Sequence, residues 1–96
     1  MGEQMKIRSA ISGNFSSIEE IKALCIRFDP SEVSVWILVD NDDDEELCDR
    51  IYEKQRALYR QLSGIPFRFR LTDIGTHPIT EFPSFDCLVF PKTVSA

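Results

Sequence analysis

The chain has 96 residues, 43% of them hydrophobic and 28% charged, which suffices for one domain spanning residues 1–96 around one core. Sixteen acidic residues against 11 Lys plus Arg give a net charge of −5, which argues against duplex nucleic acid and anionic membrane surfaces as partners, since phosphate contacts supply most of that affinity. Cys25, Cys48 and Cys87 are far apart and form no Cys-x-x-Cys pair, so they read as reduced, mostly buried thiols of a cytoplasmic protein.

Met1 to Lys6 lacks the apolar core of a signal peptide, and no apolar run is long enough to span a membrane. Met5 to Ile11 alternates: Met5, Ile7, Ser9 and Ile11 share one side, Lys6, Arg8 and Ala10 the other. This pattern predicts a half-buried strand, closed by turn chemistry at Ser12-Gly13-Asn14. Ser16 and Ser17 each precede a glutamate by three residues (Glu19, Glu20), the spacing of a capping box. They open a predicted helix whose apolar face is Ile18, Ile21, Leu24, Cys25 and Phe28, and which Asp29-Pro30 ends.

Val33-Ser34-Val35-Trp36-Ile37-Leu38-Val39 is the most β-branched run, and both of its alternating faces are largely apolar, as an interior strand requires. The acidic stretch Asp40 to Glu46 follows. Asp42 or Asp43 caps a predicted helix that continues to about Ser63, with Leu47, Ile51, Leu58 and Leu62 as its buried stripe and Gly64 at its C-terminal cap. The acidic residues of its first turn sit where the helix dipole favours negative charge. Ile65 to Leu71 alternates strictly, with Arg68 and Arg70 outward, and Pro66 marks it as an edge strand. Thr72 to Phe82 reads as a loop, Phe85 to Phe90 as a final strand stopped by Pro91, and Thr93 to Ala96 as a frayed tail.

The expected fold class is α/β, a two-layer sandwich with the order β-α-β-α-β(-β), a mostly parallel small sheet and two helices. Strand, crossover helix and strand at these lengths imply parallel pairing. A ferredoxin-like sandwich is the competing architecture. It requires a strand hairpin between the helices, where this reading places only the acidic loop.

Two surfaces could carry function. In a parallel sheet, ligands bind beyond the carboxyl ends of the strands. Asp40, Asp42 and Asp44 would lie there, with Asp73 and His77, as ligands for Mg²⁺, the one cofactor the composition suggests. Such an ion would serve phosphoryl transfer or hydrolysis. Helix initiation accounts for the same aspartates without a metal. The second surface is the sheet face bearing Trp36 and Leu38, ringed by Lys6, Arg8, Arg68 and Arg70. Aromatic and cationic side chains together are enriched at protein interfaces. The expected function is a non-enzymatic interaction module that self-associates or binds a protein partner through this face. The alternative is a Mg²⁺-dependent enzyme built on the acidic loop. His77 is the only histidine, which leaves a Cys–His nucleophile little support.

Overall fold

A computed structural model describes residues 2–89. The element order is α1 (Gly2–Phe15), β1 (Ile21–Phe28), β2 (Val33–Val39), α2 (Glu45–Gln61), β3 (Phe67–Asp73), a short 3₁₀ turn (Ile79–Glu81) and β4 (Asp86–Val89). The four strands form one sheet in the order β3-β2-β1-β4. The protein is therefore a mixed α/β fold with two helices and a four-stranded sheet, as expected in outline. The sheet is not mostly parallel: β1 pairs antiparallel with both β2 and β4, and only β2–β3 is parallel.

The difference arises in the first 28 residues, where the expected strand and helix change places. Met5–Ile11 lies within α1, because Ile7, Ile11 and Phe15 recur every four residues and are all buried, while Met5 is 69% exposed. Period two and period four agree at Ile7, Ile11 and Phe15; the exposed Met5 and Ser9, which a strand would place on the same side, separate them. The predicted turn at Ser12-Gly13-Asn14 is helical, and Ser16 bonds backward, its N–H to the Ser12 carbonyl and its hydroxyl to that of Gly13. No capping box forms at these serines. The expected helix from Ser16 or Ser17 to Phe28 is instead a connection of turns followed by β1. Ala23, Leu24, Cys25 and Ile26 are all buried, and burial on both sides of consecutive residues is the signature of an interior strand.

Asp29-Pro30 lies in the turn of a β1–β2 hairpin, where the Asp29 N–H donates to the Glu32 carbonyl at 2.9 Å. A strand hairpin thus does lie between the helices. From Val33 onward the expected order of strand, helix and two strands stands, but Asp44 rather than Asp42 or Asp43 caps the helix, and the expected loop Thr72 to Phe82 holds the end of β3 and the 3₁₀ turn. β2 is buried at every position except Trp36, which is half-buried. Asp44 is the N-cap of α2, its carboxylate accepting from the Leu47 N–H at 3.1 Å. Gly64 takes a φ of +91° in the α2–β3 connection, a conformation that favours glycine. β4 begins at Asp86; Phe90, the stop at Pro91 and the tail 93–96 lie outside the described residues.

Both helices pack on one face of the sheet. Ile7, Ile11 and Phe15 of α1 and Leu47, Ile51 and Leu58 of α2 share a core with Leu24, Ile26, Val35, Ile37 and Val39. A second, smaller core lies on the opposite face, where Phe82 closes over Ala23, Cys25 and Leu38, with Ile74, Ile79 and Phe85 around it. The segment 74–85 therefore covers the β4-β1-β2 part of that face. No helix among the described residues is long and apolar enough to cross a membrane.

Candidate interaction surface

Trp36 sits at the border between the covered and uncovered parts of this face. On one side its ring meets Phe82 at 5.1 Å and His77 at 6.1 Å between centroids. On the other, the Arg70 guanidinium stands 5.3 Å from the ring centroid. The parallel register explains the pair: Trp36 is the partner of Arg70 and Ser34 that of Arg68, so these four side chains project from the same face. Arg68 is held by Glu32 at 3.3 Å, and the Ser34 hydroxyl donates to the same carboxylate oxygen at 3.3 Å. Among the described residues Arg70 has no carboxylate within ion-pair distance; the ring of Trp36 is its neighbour.

The candidate residues on this face separate. Trp36, Arg68 and Arg70 come together, and Leu38 lies on the same face but is fully buried beneath the 74–85 segment. Lys6 and Arg8 belong to α1 on the opposite layer, a correction that follows from residues 5–11 being helical. Arg8 pairs there with Asp86 at 2.7 Å.

β3 is an edge of the sheet, and its backbone alternates in what it offers. Val33 donates to the Pro66 carbonyl and Val39 accepts from the Ile74 N–H, so the even-numbered residues 66–74 turn their polar groups toward β2. The odd-numbered residues turn theirs outward. The Phe67 carbonyl accepts from the Tyr59 hydroxyl at 3.2 Å, and the Asp73 carbonyl accepts from the Thr76 and His77 N–H groups. The N–H and C=O groups of Phe69 and Leu71 have no partner among the described residues. Tyr59, 46% exposed, flanks this stretch and meets Phe67 and Phe69 edge-on.

The acidic loop is occupied by structural work. Asp44 caps α2, Asp40 pairs with Lys22 at 3.3 Å, Asn41 accepts from the Asp43 N–H at 3.0 Å, and the Asp42 carbonyl receives the Cys48 thiol. Asp73 accepts from the Gly75 N–H at 2.6 Å, and His77 pairs with Glu81 at 2.8 Å. Among the described residues no group of three or more His, Cys, Asp or Glu side chains, Asp40, Asp42 and Asp44 included, is gathered so as to hold a metal ion. The Asp40 carboxylate serves Lys22 and that of Asp44 the Leu47 N–H, while Asp42 takes part through its backbone carbonyl. They do affect Cys48: burial pushes its thiol pKa up, and Asp44, Asp42, Asp49 and Asp43 push it further in the same direction.

Cys25 and Cys87 are not separate thiols. They are direct partners in the antiparallel β1–β4 register, with Cα atoms 4.1 Å apart, and form a disulfide; Cys48 is the free cysteine. The sequence spacing hid this pair because its members lie 62 positions apart. The cover beside Trp36 comes from the expected loop, through Ile74, Ile79 and Phe82, and from Phe85 at the start of the expected final strand.

At the far end of the molecule, an open groove of about 550 Å³ lies between the start of α1, the β1–β2 turn and the α2–β3 connection. Ile7, Phe28, Val33 and Ile65 line it, with Glu3, Asp29 and Glu32 around them. Asp29 and Glu32 are already paired with Arg27 and Arg68, and the lining includes neither His nor Cys. Compared with protein-family models, curated proteins and solved structures, the chain matches none of them.

Proposed function

We propose that this protein is a small non-enzymatic interaction module that binds a protein partner through the Trp36–Arg70 side of the sheet at β3. The observation that carries this reading is Arg70 itself, a guanidinium stacked on a half-buried tryptophan with no carboxylate within ion-pair distance among the described residues. An Arg–Trp pair is preorganised, so little side-chain freedom is lost when a partner's carboxylate or carbonyl docks on it. Tryptophan and arginine are also the residues that most often dominate interface energetics. In the acidic loop, helix capping and ion pairing already engage the Asp44 and Asp40 carboxylates. Self-association belongs to the same reading, with a second copy as the partner.

Photo-crosslinking tests it. A benzophenone amino acid in place of Tyr59, on α2, puts an aromatic probe beside β3 without touching Arg70 or Trp36; the same probe at the exposed Met5, on α1, is the control. In extracts of the source cells, position 59 should give a discrete adduct that Arg70→Glu removes, and position 5 should not. Adducts that form equally from both positions, or persist in Arg70→Glu, would defeat the reading.

A further inference from the structure

We infer that β3 accepts an added strand from its partner, and that this strand alternates acidic and apolar residues. The inference rests on the interaction surface proposed above and specifies the chemistry of what binds there. Phe69 and Leu71 offer two N–H and two C=O groups along the outer edge, spaced as a ladder and without partners among the described residues. An exposed edge of this kind is a template for an extended segment. Side chains of a paired strand point to the same faces as those they oppose. Residues opposite Arg68 and Arg70 would lie on the Trp36 face, where carboxylates complement the two guanidinium groups. Residues opposite Phe69 and Leu71 would lie on the helical side, against the half-buried Phe69 and Leu71 and the exposed flank of Tyr59.

A second copy of this chain is a poor occupant of the edge. In antiparallel pairing of β3 with itself, outward-facing residues must oppose outward-facing residues. The two registers that use the edge most fully are centred on Phe69 or on Arg70. The first sets Arg68 opposite Arg70 twice, and the second sets Arg70 opposite Arg70. Like charges directly opposite are destabilising. The negative net charge of −5 does not counteract a local acidic partner, because interactions between exposed charges are screened beyond about 10 Å at 0.1 M salt.

The test uses the full chain, ¹⁵N-labelled, and the peptide acetyl-Gly-Glu-Val-Glu-Val-Glu-Gly-amide. Saturable shifts are expected at the Phe69 and Leu71 amides, with binding about tenfold weaker for Arg70→Gln, the loss of one charge-assisted contact. Replacing the peptide glutamates by glutamine should weaken it similarly. N-methylation of alternate peptide amides separates strand addition from simple charge attraction. Loss of binding on methylating only one alternating set supports the added strand; the valine set marks antiparallel alignment, the glutamate set parallel. Equal binding by both methylated peptides, or no binding at millimolar concentration, overturns it. In either failure the Tyr59 crosslink to a partner stands or falls by itself, so loss of the added strand is distinguishable from loss of the interaction surface.

Discussion

Arg70 holds its guanidinium 5.3 Å from the centroid of the Trp36 ring, one strand away and directly across the parallel register. The pair links the small core under Phe82 to the bare part of the face on β3. Removing its two members should have different consequences. Arg70→Ala deletes an exposed cation–π contact and should cost only about 0.5–1 kcal/mol of stability. Trp36→Ala also strips packing from Phe82 and should cost about 2 kcal/mol, below the 3–5 typical of fully buried aromatics. Urea unfolding of both variants checks the order. The fold should survive in each, so loss of partner binding by either would report on the surface.

The exchange of strand and helix at the N-terminus is open to mutation. In α1, Phe15 is fully buried and Met5 is 69% exposed. Phe15→Ala should destabilise by about 3–5 kcal/mol, whereas Met5→Ala should stay within about 0.5 kcal/mol. A strand over residues 5–11 would bury Met5 and make its truncation costly.

The Cys25–Cys87 bridge closes a long loop and ties the short edge strand β4 to β1. With its members 62 positions apart, the chain-entropy account gives a stabilisation of about 4 kcal/mol. The melting temperature should fall on reduction, and Cys25→Ser should match the reduced wild type. Thiol titration of the unfolded, unreduced protein should find Cys48 alone. In the native state Cys48 should alkylate slowly at neutral pH, because its raised pKa leaves little thiolate.

Glu20 and Arg50 form an ion pair between the α1–β1 connection and α2. The hydrogen bond from Arg50 is the main cause that holds the Glu20 carboxyl below its ordinary pKa. A depressed carboxylate pKa means the native state releases its proton more readily than the unfolded state. The pair's contribution is therefore present above the ordinary carboxylate pKa and lost as pH falls through the lowered one. Both side chains are 44% exposed, so the effect should be small and salt-sensitive. Comparing the acid limb of thermal stability in wild type and Glu20→Gln, at low and high salt, measures it.

Legibility in the sequence followed the strength of the periodic signal. β2, α2 and β3 were readable because Val33–Val39 is apolar on both faces, Leu47, Ile51 and Leu58 recur at helical spacing, and Phe67 to Leu71 alternates with two arginines. The first 28 residues misled because short apolar runs fit both periods. Ile7 and Ile11 suit a strand or a helix; Ile21, Leu24, Cys25 and Phe28 suit a helix until Ala23 and Ile26 are counted as buried too. Lys6 and Arg8 left the Trp36 face with that correction. Trp36, Arg68 and Arg70 remained together because the elements carrying them were assigned correctly. Neither the disulfide nor the 74–85 cover could be read locally, since both depend on β4 returning to pair with β1.

Residue-resolved amide hydrogen exchange along β3 tests most directly whether this edge is available to a partner. The Arg68, Arg70 and Thr72 amides bond to β2 and should exchange slowly, while those of Phe69 and Leu71 face outward and should exchange fast. This alternation, seen in the isolated protein, is the predicted result. Protection of Phe69 and Leu71 equal to that of Arg70 would mean the edge is already covered, and would contradict the account.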